Sequence, residues 1–124
     1  MIDRRRFFAV AGSVLLPSLG KRAAHAQSAW PNRFIRLVVP FPPGGGTDAI
    51  ARVVAGRLSE LWGQQMVVEN KGGAATNIGT EFVARSDPDG YTMLLQSMPI
   101  AVNRFLFPTL PYDAIADFAP VSLI

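Results

Sequence analysis

The chain has 124 residues, 49% hydrophobic and 17% charged, with a formal net charge of +3. It contains no cysteine and a single histidine, His25, which excludes disulfide staples and thiolate metal sites. A net positive chain can indicate a nucleic-acid partner, but five of the twelve bases (Arg4, Arg5, Arg6, Lys21 and Arg22) crowd into the first 26 residues.

Those 26 residues have the three parts of an export signal. Three arginines open it, residues 7–19 form an apolar middle, and Ala24-His25-Ala26 supplies a small-x-small site, so cleavage is expected before Gln27. The apolar middle is too short for a permanent span, which needs about 20 residues. Arg4-Arg5-Arg6-Phe7-Phe8 also resembles a twin-arginine signal, and Lys21 and Arg22 near the cleavage site fit that route; an ordinary secretory signal is the alternative. Cleavage would leave a single small domain, residues 27–124, with seven bases, scattered along it, against eight acids. The nucleic-acid reading then fails. The loss of His25 also excludes a Ser-His-Asp or Cys-His centre and any histidine metal site within the domain.

From residue 27 onward the pattern is regular. Residues 34–39 form a β-branched run ending at prolines, which predicts a buried strand. Residues 48–62 predict a helix, with Ile50, Val53, Val54, Leu58, Leu61 and Trp62 on its inner face and Gly63 as its C-terminal cap. A second strand follows at 66–69, a glycine-rich loop at 71–75, and a short helix at 77–86 with Ile78 and Phe82 inward. Asp87-Pro88-Asp89-Gly90 is a turn by composition, and residues 91–95 a third strand. Pro99 suits the first turn of a helix running to about residue 107. The apolar run at 118–124 reads as the start of a fourth strand, and its coincidence with the last residue reads as a chain cut short.

Alternating strands and helices predict an α/β fold, here a βαβαβαβ unit with a parallel sheet. In such sheets ligands sit beyond the carboxyl ends of the strands. Two glycine-rich loops, at 42–47 and 72–76, lie at such ends and each precedes a helix N-terminus, an arrangement suited to an oxygen anion. A nucleotide phosphate fits poorly. The first loop lacks the lysine of a Walker motif, and Gly44-x-Gly46 with Ala49 is only a weak dinucleotide fingerprint. Phe41 stands beside the glycines, where it can shield a ligand from water. Ser97, just past the third strand, is a further candidate carboxylate donor. Arg33 and Arg36 fall at the opposite end of the first strand and are rejected as ligand partners.

The loop PFPPGGGTD (residues 40–48), together with VEN (68–70), NIGTE (77–81), DPDGYT (87–92) and LPYD (110–113), resembles the extracytoplasmic solute receptors of the tripartite tricarboxylate transporter family, often called Bug proteins. The likeness continues through Asp117-Phe118-Ala119-Pro120-Val121. It implies a two-lobed, hinge-closing, periplasmic-binding-protein-like fold of type II, of which this chain holds most of the first lobe. It also implies a periplasmic receptor that takes a small carboxylate and delivers it to a membrane permease, with no catalytic residue, cofactor or metal. By this resemblance the ligand carboxylate is held by backbone N–H groups of Gly44, Gly45 and Gly46 and by the Thr47 hydroxyl, while Asp48 orients water or meets a ligand amino group. Asp48 and Thr47 have structural readings too, as a first-turn acid and a helix N-cap.

The second loop departs from the family pattern. Ala75 and Thr76 stand where glycines are common, adding side chains where a ligand would approach, and Thr76 either donates a hydroxyl or caps the helix. Asn103 and Asp113 read as structural. Two alternatives stay open at this point: an exported oxidoreductase whose first glycine loop holds a nucleotide cofactor, and a receptor serving a sensor kinase. Which carboxylate is bound is not legible.

Overall fold

The computed structural model describes residues 29–124; the export segment, its cleavage point and His25 lie outside them. Three parallel strands, β1 (Ile35–Val39), β2 (Met66–Asn70) and β3 (Thr92–Leu94), are ordered β2-β1-β3. Leu37 is opposite Val68 on one side and Met93 on the other. Helix α1 (Gly46–Trp62) links β1 to β2, α2 (Asn77–Ala84) links β2 to β3 after a 3-10 turn at Ala74–Thr76, and α3 (Pro99–Leu106) follows β3.

Because β1 is central and the chain crosses it between β2 and β3, right-handed crossovers require α1 and α2 to lie on opposite faces. Side-chain alternation agrees. Ile35, Leu37 and Val39 pack with Ala51 and Ala55 of α1. The intervening positions face α2: Arg36 lies over the Phe82 ring at 5.6 Å, and Pro40 touches the backbone at Gly79. Ile35, Val38 and Val39 are fully buried, each contributing about 1.5–3 kcal/mol by removal from water.

The inner face of α1 is not the one its large apolar residues predict. Ile50, Val53 and Leu61 are exposed, while Asp48, Ala51 and Ala55 are buried, with Leu58 and Trp62 packed at the margin. Small side chains win this face because a helix lying across a sheet of Ile, Leu and Val needs room. In α2, Ile78 is likewise exposed; Gly79 and Thr80 face inward instead. Phe82 is half-buried, with the Lys71 ammonium 4.3 Å from its ring centre.

Helix ends follow their chemistry closely. Gly63 closes α1 at φ 63°, a left-handed conformation natural to glycine. Pro99 sits in the first turn of α3, where its missing N–H costs nothing. The fourth strand expected at 118–124 does not form: the segment has no strand pairing, and Val121, Leu123 and Ile124 are exposed. Pro120 interrupts the segment and has no N–H to give to a ladder.

Candidate ligand-binding site

All three strands run in one direction, so the loops after β1, β2 and β3 share one edge of the sheet. The loops after β1 and β2 touch: a Cβ built on Gly72 would lie 3.6 Å from the Pro42 nitrogen. Gly44, Gly45, Gly46 and Ala75 are exposed along this edge, and Phe41 and Thr47 are half-buried. Ser97 is exposed beyond β3. Thr47 is not a cap; Gly45 is the N-cap of α1 and Thr47 lies inside its first turn. The N–H groups of that turn have no carbonyl one turn back to bond, which leaves donors and a partial positive charge facing outward.

Asp48 is 3% exposed and lies beneath the first loop rather than in its mouth. Its Oδ2 accepts from the Gly44 N–H and Arg52 Nε, both at 2.9 Å, and its Oδ1 from Asn70 Nδ2 at 3.0 Å. The same Asn70 amide donates to the Phe41 carbonyl at 3.1 Å. The Arg52 hydrogen bond, then those of Gly44 and Asn70, hold the Asp48 carboxyl at about 2, below its ordinary 3.8. Asp48 and Asn70 therefore tie the glycine turn to the end of β2. Every carboxylate oxygen of Asp48 has a protein partner here.

The second loop is strained. Gly73 has φ 125°, and Ala74, Ala75 and Thr76 have φ of 48°, 53° and 77°, a left-handed run that L side chains rarely adopt. Both positions at which this chain carries Ala75 and Thr76 thus keep the backbone that glycine favours. Thr76 is buried, and its hydroxyl is turned to Gln96, whose Nε2 donates to it at 2.9 Å and to Thr80 Oγ1 at 3.0 Å. Beneath Ala75 lies a group of buried amides. Asn103 Nδ2 donates to the Ala75 carbonyl at 2.8 Å and to Asn77 Oδ1 at 2.7 Å. The Tyr112 hydroxyl donates to that same Asn77 oxygen at 2.7 Å. Asp113 caps its own turn, accepting from the Ile115 and Ala116 N–H groups; the Ala116 bond, then that of Ile115, lowers its carboxyl below the ordinary range.

Sequence reasoning placed the two loops correctly on one edge but missed Asn70, Asn77, Gln96 and Tyr112, which hold them. Arg33 and Arg36 do lie at the opposite edge. There they border a cleft of about 290 Å³ and are paired with Asp89 at 2.6 Å and Glu69 at 2.9 Å. Among the described residues there is no group of three or more His, Cys, Asp or Glu able to hold a metal ion, and no helix is long and apolar enough to cross a membrane.

Residues 50–124 match the tripartite tricarboxylate transporter family receptor. BugT of Bordetella pertussis is 44% identical over 125 residues, and a protein from the tcbD-tcbE intergenic region of Pseudomonas sp. strain P51 is 44% identical over 122. The chain spans 36–38% of the length of these two relatives. Among solved structures, an adipate complex from R. palustris is 44% identical with a TM-score of 0.66, aligning 68% of this chain with 29% of that one. MatC from Rhodopseudomonas palustris with bound malate is 35% identical with a TM-score of 0.64, aligning 73% with 31%.

Proposed function

This chain belongs to the tripartite tricarboxylate transporter receptor family, and we propose that it forms the carboxylate-gripping part of a periplasmic solute receptor. The receptor binds rather than transforms its ligand and passes it to a membrane permease. One carboxylate of the ligand lies between the first-turn N–H groups of α1, with the Thr47 hydroxyl, and the backbone of the loop at 72–76. Phe41 screens it from water, and Ser97 lies within the same edge as a third donor. Asp48 and Thr76 act from beneath. Asp48 fixes the glycine turn, and Thr76 shapes the second loop through its backbone.

The observation that carries this reading is the contact between two glycine-rich loops at the carboxyl edge of a parallel sheet, the first of them opening onto the N-terminus of α1. Adipate and malate in the related structures are its chemical counterpart. Helix N-termini suit carboxylates because each presents unpaired donors and about half a positive charge. The test is isothermal titration of the complete exported protein with di- and tricarboxylates, acidic amino acids and aromatic acids. At least one is expected to bind; a protein that binds none of them is not this kind of receptor.

A further inference from the structure

We propose that Asn103 and Tyr112, neither of which lies in the loops, are positioning residues that set ligand affinity by bracing the strained second loop. The inference rests on the receptor reading above and adds to it the cause of the loop's shape. Three consecutive residues bearing a Cβ hold positive φ at 74–76. Such a run relaxes unless its surroundings fix it. The fixing contacts come from distant parts of the chain. Asn103 of α3, 2% exposed, takes the Ala75 carbonyl directly. It also shares Asn77 Oδ1 with the Tyr112 hydroxyl, and Asn77 opens α2 immediately after the strained turn.

The consequence follows from the planar trans peptide, in which C=O and the next N–H point in opposite directions. By drawing the Ala75 carbonyl toward α3, Asn103 turns the Thr76 N–H away from it. That peptide cannot rotate without taking from the buried Asn103 amide one of its two acceptors, and a buried donor is costly to leave unpaired. Tyr112 acts one step further back, holding Asn77 and with it the first turn of α2. A loop of glycines would reach the same shape freely. With Ala75 and Thr76 in place, the brace is needed.

The experiment measures adipate and malate affinity by titration calorimetry in the complete protein, in Asn103→Leu and in the milder Tyr112→Phe, each also in the Ala75→Gly background. Asn103→Leu is expected to weaken binding about tenfold and Tyr112→Phe about threefold, with circular dichroism unchanged. In the Ala75→Gly background both losses should shrink to about half or less on a logarithmic scale, since glycine takes positive φ without a brace. Equal losses in the two backgrounds, or no loss for Asn103→Leu, would overturn the proposal, because general destabilisation does not depend on the residue at 75. If the unmodified protein binds no carboxylate, the receptor reading falls, and the brace is decided on the loop alone by amide hydrogen exchange. Exchange at residues 74–78 should then be about tenfold faster in Asn103→Leu; unchanged protection would refute it.

Discussion

Gly79→Ala and Gly56→Ala are the same chemical change in two helices, and the fold predicts opposite signs. At Gly79 an added Cβ would lie 2.6 Å from the Lys71 carbonyl oxygen and 2.8 Å from Pro40 Cβ. The first distance is 0.8 Å short of the 3.4 Å at which ordinary contact begins. Neither obstacle is a flexible side-chain end: one is backbone, the other a proline ring at the exit of β1. Overpacking of this kind costs about 1–3 kcal/mol, and rigid obstacles favour the upper half. Alanine recovers less than about 1 kcal/mol of helix propensity, because position 79 is in the first turn. The net expectation is a loss of about 1–2 kcal/mol. At Gly56, in mid-helix and exposed, nothing lies within 4 Å, so alanine should gain about 0.8–1 kcal/mol. Equilibrium urea unfolding followed by far-ultraviolet circular dichroism gives both numbers from midpoints at constant slope. Gly79→Ala as stable as the parent chain would refute the close approach of α2 to the strand exits, and with it the placement of its N-terminus.

Ala75→Gly should stabilise the chain by about 0.5–1 kcal/mol, since relief of the left-handed penalty of about 1–2 kcal/mol exceeds the added unfolded-state entropy of about 0.4–1 kcal/mol; the same unfolding assay checks it. The Asp48 carboxyl titrates at about 2 in the folded chain against an ordinary 3.8. Its contribution to stability is therefore complete above about 3.8 and is lost as pH falls through about 2, so the stability gap between the parent and Asp48→Asn should narrow across that window in acid-urea titrations. A gap that stays constant from pH 5 to pH 2 would remove Asp48 from the group holding the first loop. Ile35→Ala, at a fully buried strand position, should cost about 2–5 kcal/mol, whereas Ile50→Ala on the exposed side of α1 should change stability by less than about 0.5 kcal/mol; the reverse order would reinstate the face its large residues suggest.

That reversal illustrates which parts of this fold are legible in sequence. The strand run ending at Pro40, the glycine cap at 63 and the proline start at 99 are local signals, and each of these three lies within a few residues of its expected place, unlike the strand expected at 118–124. The face of α1 is not local. Leu58 and Trp62 pack at the margin of the core and fit either stripe, so a reading by bulk chooses Ile50-Val53-Leu61 over Ala51-Ala55. The bulk of the strand side chains opposite decides otherwise. The polar residues beneath the second loop are harder still. Asn77, Asn103 and Tyr112 are separated by 26 and 35 positions, and hydrogen bonds at such range leave no pattern in the chain. A faint signal exists, an asparagine in the middle of the apolar stretch PIAVNRFL. It identifies a buried amide but not its partner.

The two loops are braced by different chemistry, and the difference matters for an anionic ligand. A bare carboxylate under the first loop would oppose another carboxylate arriving above it. Asp48 avoids this by burial and by pairing: Oδ2 accepts from the Arg52 guanidinium, which offsets its charge, and from the Gly44 N–H, while Oδ1 accepts from Asn70. Nearby, Lys71 is paired with Glu69 at 2.7 Å, so neither side chain dominates the edge. Beneath the second loop the brace is neutral throughout, built of amides and hydroxyls from Asn77, Gln96, Asn103 and Tyr112. With the formal charges cancelled, what remains at the first loop is the field of the α1 N-terminus and its first-turn N–H groups; the first turn of α2 is largely buried, and the Asn77 N–H already donates to the Ala74 carbonyl. In the proposed receptor such a site would favour a carboxylate by direction rather than by net charge. On the receptor reading proposed above, its grip depends on holding the loop peptides at fixed angles, and the hydrogen bonds made by Asp48 and Asn103 are the contacts that hold them.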